Sequence, residues 1–148
     1  LLPMPPAVIR RRVVNGEVSG VAFSADPVSG QRGIAVVAAV PGLGGALVSG
    51  ESDSDTWRVA RDGRIVDERI ATKTHAQRRA PGHPDGVAPC PLAEHQAECP
   101  SLDHAQVAAV AALARDAERH FARPQEIEWT LAGGQLYLLQ SRPITGLA

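Results

Sequence analysis

The sequence predicts an α+β fold: a mostly antiparallel sheet with one long packed helix. Three observations carry that prediction. Residues 103–121 repeat apolar side chains at helical spacing, and residues 124–143 and 56–71 each read as a strand, a glycine-containing turn and a returning strand. The helix feeds straight into the last hairpin, so its apolar stripe has a sheet to cover.

Residues 1–16 are expected to be irregular. Three of the first six are prolines, which remove backbone donors and fix φ. Residues 7–14 would suit a strand, but Arg10, Arg11 and Arg12 interrupt it. Such a run is usually a solvated edge, and guanidinium groups also suit phosphates. Residues 18–24 read as a short strand followed by turn chemistry at Asp26-Pro27 and Ser29-Gly30. Gly20 inside that strand implies a close backbone approach. Residues 34–40 form a continuous apolar run between glycine and proline, the pattern of a central strand covered on both faces. Gly42, Gly44 and Gly45 follow it. They lack the Gly-x-x-x-x-Gly-Lys-Ser/Thr phosphate-loop pattern, and Leu47 stands where a dinucleotide motif needs its third glycine.

In the hairpin at 56–71, Asp62-Gly63 signals a two-residue turn that pairs Val59 with Val66 and Arg58 with Asp67. Lys73, just beyond, reads as an exposed lysine. Residues 74–101 contain Pro81, Pro84, Pro89, Pro91 and Pro100, which makes them a proline-rich surface loop. Cys90, His95, Cys99 and His104 lie close in sequence, but their spacing matches no standard zinc finger. In the helix, Val107, Val110, Ala114, Ala117 and Phe121 share a stripe that Leu113 widens. Asp103 with Gln106 resembles a capping box, Arg119 and His120 suit the negative C-terminal end, and Pro124 stops the run.

The last hairpin carries the chemistry. Ile127, Trp129 and Leu131 alternate with Glu126, Glu128 and Thr130, the period of a half-buried strand. A two-residue turn at Gly133-Gly134 sets Glu128 against Leu139 and sends Gln140 to the face opposite the carboxylates. A three-residue turn through Gln135 sets Glu128 against Gln140 and Glu126 against Arg142. It also gathers Ile127, Trp129, Leu131, Tyr137 and Leu139 on the other face, as a core requires, and is the register we expect. Its polar face offers oxygen ligands suited to Mg²⁺ and an arginine suited to phosphate. On residue chemistry alone, the same face also reads as a solvated surface with a Glu–Arg cross-strand pair.

At 148 residues with a net charge of −1, the chain is long enough for one core and has no field to draw nucleic acid or an anionic membrane. Its longest apolar run is far short of a membrane span. Two cysteines make no disulfide framework, no secretory leader is visible, and a cytoplasmic location is expected.

Three stretches occur together: EVSGVAFSADPVSG from residue 17, GLGGALVSGE from residue 42 and EIEWTLAGGQLYLLQSRPIT from residue 126. In this order they resemble the nucleotide-binding domain of the phosphoenolpyruvate synthase and pyruvate phosphate dikinase family, an ATP-grasp fold that rifampicin phosphotransferases share. The resemblance implies that residues 17–145 are the C-terminal half of an ATP-grasp domain. It implies ATP and Mg²⁺ as cofactors, with Glu126, Glu128, Gln140 and Arg142 as the cofactor-binding residues, Glu128 and Gln140 among them as metal ligands and Arg142 as a phosphate contact. Glu126 matches a position often Asp in the family. The family usually has Gln where Arg11 stands and Glu where Gly45 stands.

The implied activity is phosphoryl transfer from ATP to a carrier histidine outside this chain, and from there to pyruvate. The first ATP-grasp subdomain and the phosphohistidine domain would lie on another chain or be missing. A rifampicin phosphotransferase and a non-catalytic remnant or interaction module are the alternatives.

Overall fold

The computed structural model describes residues 16–44, 53–84 and 86–147. The readings of residues 1–15 and 45–52, Arg11 and Gly45 among them, lie outside the described residues. In chain order the elements are β1 (Val18–Phe23), β2 (Ile34–Pro41), β3 (Asp55–Ala60), β4 (Ile65–Arg69), β5 (His75–Arg79), β6 (Val87–Pro91), α1 (Glu94–Ala97), α2 (His104–Phe121), β7 (Gln125–Ala132) and β8 (Gln135–Pro143). Six strands form one antiparallel sheet in the order β4-β3-β2-β1-β7-β8, and β5 and β6 form a separate pair. Among the described residues no helix is long and apolar enough to cross a membrane.

Helix α2 covers one face of the large sheet. Val107, Val110, Ala111 and Ala114 meet Ala22, Ala35, Val37, Trp57, Val59, Ile127 and Trp129 in a single buried cluster. The small residues on β1 and β2 let the sheet and helix approach closely. Gly20 is required there: a Cβ on it would sit 1.8 Å from the Ala38 carbonyl oxygen on the neighbouring strand. The helix begins at Asp103, whose carboxylate accepts from Gln106 N at 2.7 Å while the Gln106 amide returns to Asp103 N. It ends where Ala122 turns left-handed at φ 58°. Phe121 does not join the core; it is exposed and packs edge-on against His120. Arg115 is buried instead and donates to the Val59 carbonyl at 2.9 Å. Burial lowers its guanidinium pKa below the ordinary value.

That carbonyl is near a bulge, which corrects the expected β3–β4 register. Arg58 pairs with Asp67 as the sequence predicts, but Val59 pairs with Ile65, leaving Val66 as an extra residue on β4. The turn is correspondingly longer than two residues, closed by Ala60 N donating to Arg64 O at 2.8 Å.

Within residues 74–101 there is more regular structure than a surface loop. β5 and β6 pair along their whole length, and Pro89 and Pro91 are accommodated in a strand with a single neighbour. Lys73 is the sharpest correction. It is buried, its Nζ 2.7 Å from a fully buried Asp55 carboxylate. Asp55 also accepts from Ala71 N, Ser101 N and Ser101 Oγ at 2.9, 2.8 and 2.6 Å. This cluster draws together the start of β3 and the two ends of the excursion. β5 also touches the glycine segment after β2, where Leu43 N donates to Gln77 O at 2.8 Å. Cys90 and Cys99 are exposed, Cys99 Sγ donates to the His95 carbonyl, and His104 faces Glu68 at 3.2 Å. No three His, Cys, Asp or Glu cluster among the described residues.

Candidate functional site on the open sheet face

Side chains that alternate with the core residues point to the sheet face away from α2. The strand registers arrange them in rungs. One rung runs Arg58, Val36, Phe23, Glu126, Arg142 across β3, β2, β1, β7 and β8. The next runs Thr56, Ala38, Val21, Glu128, Gln140, and a third runs Val40, Ser19, Thr130. The structure therefore brings all four candidate residues, Glu126, Glu128, Gln140 and Arg142, onto one face. They meet a half-buried apolar strip of Val21, Phe23 and Val36.

Glu128 stands opposite Gln140 as the sequence reading requires, but the local device differs. The turn has two residues, not three: Ala132 pairs with Gln135, and Gly133 and Gly134 take φ 57° and 75°, the left-handed region of a type I′ turn. The register then shifts between Glu128 and Trp129, leaving Leu139 as the extra residue on β8. Between turn and bulge the side chains of β8 are displaced from the expected pattern. Leu136, paired with Leu131, packs against the core, while Tyr137 pairs with Thr130 on the open side and Leu139 is exposed. Beyond the bulge the two strands recover the expected partners. Trp129 is buried on the helix side, turned away from Glu128.

Glu126 and Arg142 form a forked pair, Nε to Oε2 at 3.0 Å and Nη2 to Oε1 at 2.9 Å. Donating to the Glu126 carboxylate raises the Arg142 pKa above its ordinary value. Glu128 and Gln140 make no hydrogen bond within the described residues. Two residues with hard oxygen donors thus stand on neighbouring strands with no side-chain partner among the described residues, a set that fits Mg²⁺, which commonly takes few protein ligands and completes its shell with waters and phosphates.

Sequence reasoning missed the support beneath this face. Gln125 is buried at the start of β7; its N–H donates to Ser24 Oγ at 2.8 Å, and its Oε1 accepts from Ser141 Oγ at 2.9 Å. Ser141 lies between Gln140 and Arg142, so holding it on the core side fixes the pleat that presents its neighbours outward. The available signal was the polar residue at a core-facing strand position. A second missed group is Asp26, buried in the β1–β2 loop and bonded to Arg58 at 2.8 Å. Burial pushes the Asp26 carboxyl up, but hydrogen bonds from Val28 N, Ser29 and Arg58 outweigh it and hold the pKa below the ordinary value.

The family model for the pyruvate phosphate dikinase AMP/ATP-binding domain matches residues 5–148. The chain is 41% identical over 142 residues to a rifampicin phosphotransferase of Bacillus subtilis (strain 168), covering 95% of this chain and 16% of that protein. It is 42% identical over 140 residues to a rifampicin phosphotransferase of a Streptomyces species, with the same shares, 95% and 16%. A probable phosphoenolpyruvate synthase of Archaeoglobus fulgidus is 36% identical over 140 residues, covering 94% of this chain and 18% of that protein. The chain thus spans about one-sixth of the length of these curated relatives.

Proposed function

The chain belongs to the pyruvate phosphate dikinase AMP/ATP-binding domain family, and on that premise we propose that it is the C-terminal ATP-grasp subdomain of a phosphotransferase and binds Mg·ATP on the open sheet face. Glu128 and Gln140 would hold Mg²⁺, which would supply positive charge to neutralise the phosphate oxygens. Arg142 binds a phosphate as a planar donor fork, and Glu126 aims that fork. The supporting observation is the Glu128–Gln140 rung, which sets the two residues directly opposite each other across β7 and β8 with side chains that are not hydrogen-bonded within the described residues.

The acceptor is a carrier histidine outside this chain, with pyruvate as the final acceptor in a phosphoenolpyruvate-synthase-like enzyme. The identities of 41% and 42% to rifampicin phosphotransferases, against 36% to the phosphoenolpyruvate synthase, favour a second reading in which the final acceptor is rifampicin-like.

Calorimetric titration with ATP, with and without Mg²⁺, tests the binding site. Glu128→Gln should weaken Mg·ATP at least about tenfold, the equivalent of 1.4 kcal/mol, while leaving the melting temperature unchanged. ATP binding that ignores both Mg²⁺ and Glu128→Gln would overturn the assignment. Assays of the complete protein with pyruvate and with rifampicin separate the two acceptors.

A further inference from the structure

We propose that Arg58 is a second phosphate-binding residue of this face. This rests on the nucleotide reading above and adds a residue to it.

The three rungs differ in access and in charge. The third is closed. Ser19 and Thr130 are buried there, their hydroxyls 2.7 Å apart. A Cβ on Gly16 would lie 2.1 Å from Thr130 Oγ1, and one on Gly44 would lie 3.3 Å from Ser19 Cβ. The backbone at both glycines therefore sits over this rung, and a ligand held by Glu128 and Gln140 cannot run far that way.

The first rung is open and carries the positive charge. Arg142 stands at one side and Arg58 at the other, with the uncharged Val36 and Phe23 between Arg58 and Glu126. Four strand spacings, about 19 Å, separate the Arg58 and Arg142 backbones, a gap that the two long side chains narrow from either side, so the strip between them can take phosphates.

Arg58 is held ready rather than consumed. Its Nη2 donates to Asp26 Oδ2 at 2.8 Å and to Gln31 Oε1 at 3.2 Å, while Nη1 and Nε make no hydrogen bond among the described residues. Its side chain is 35% exposed. Asp26 is itself fixed by Val28 N at 2.9 Å and Ser29 N at 3.3 Å, so the loop that closes β1 onto β2 aims the guanidinium. Asp67 is its cross-strand neighbour on β4, a carboxylate on the side away from the strip. Arg58 is thus a fixed cation with donor capacity left at the end of the face that no described residue covers. A terminal phosphate is the ligand chemistry that uses it.

The test is chain-length discrimination. AMP, ADP and ATP are titrated with Mg²⁺ into the wild-type protein and into Arg58→Gln, Arg58→Lys and Glu128→Gln. Arg58→Gln should weaken ATP about tenfold and AMP less than about twofold, with Arg58→Lys intermediate in affinity; loss of the Asp26 ion pair lowers the melting temperature of Arg58→Gln, whereas Arg58→Lys, which keeps a cation beside Asp26, stays close to wild type. Equal losses for AMP and ATP would overturn the assignment, because a role in folding or base binding moves both. Unchanged ATP affinity in Arg58→Gln, alongside a clear loss in Glu128→Gln, would overturn this inference while leaving the nucleotide reading intact. Failure of the wild-type protein to bind any of the three would remove both.

Discussion

Replacing Lys73 with methionine should cost more stability than any surface lysine can. Methionine keeps most of the apolar stem and removes the charge. What remains is a fully buried Asp55 carboxylate without its cation. Breaking a buried ion pair from one side typically costs about 3–5 kcal/mol. The lower end applies here, because Ala71 N, Ser101 N and Ser101 Oγ still donate to the carboxylate. Urea unfolding monitored by circular dichroism measures the effect. With a slope of about 1–3 kcal/mol per molar, a loss of about 3 kcal/mol lowers the midpoint by about 1–3 M. The Asp55→Asn, Lys73→Met pair should lose less than the sum of the single variants, since the two side chains share one interaction. A loss under about 1 kcal/mol with an unchanged slope is what a solvent-screened pair gives, and would refute the burial argument.

Gly20→Ala should fail to give soluble folded protein. Its Cβ meets a backbone carbonyl at 1.8 Å, which no rotamer relieves, so the cost exceeds the about 1–3 kcal/mol usual for overpacking; a normal yield with native circular dichroism would contradict it. Acid should expose Asp26. Its folded pKa lies below the ordinary 3.8, so its contribution is complete above that value and is lost as pH falls through the folded pKa. Melting temperatures between pH 5 and pH 2 should drop less steeply in Asp26→Asn than in wild type, and parallel curves would show that Asp26 plays no part.

The large elements were legible because their patterns are strong and local. The apolar stripe of α2 and the capping pair Asp103–Gln106 announce a helix without any tertiary information. The alternation through Ile127, Trp129 and Leu131 announces a strand with a polar face. The pairing of Glu128 with Gln140 was read from the expectation that the apolar residues of both strands share the helix side; the pairing holds, but Tyr137 lies on the open side and Leu138 and Leu139 are exposed, because the bulge displaces the part of β8 next to the turn. The device itself was illegible. A bulge at Leu139 or Val66 has no residue signature, since both are ordinary strand residues. Lys73 was misread because its partner Asp55 lies on another element 18 residues away, and only the folded sheet brings them together. The β5–β6 pair hid behind prolines and a polar sequence, because part of its anchorage is a backbone contact to Leu43 rather than side chains of its own. The Gln125–Ser141 bond was missed because its partners lie 16 residues apart and only the β7–β8 register brings their side chains together.

The two bulges sit on β4 and β8, the outermost strands of the large sheet. An outer strand offers unpaired N–H and C=O groups that a neighbouring molecule can copy, and a flat, regular one is a template for aggregation. Val66 and Leu139 are both substantially exposed, 44% and 50%, and would be sticky in that setting. An extra residue breaks the hydrogen-bonding rhythm and increases the local twist, so an incoming strand cannot keep step. The bulge that lines up Glu128 with Gln140 therefore has a second consequence: it lets a row of polar side chains occupy the border of the sheet without turning that border into a seed for polymerisation.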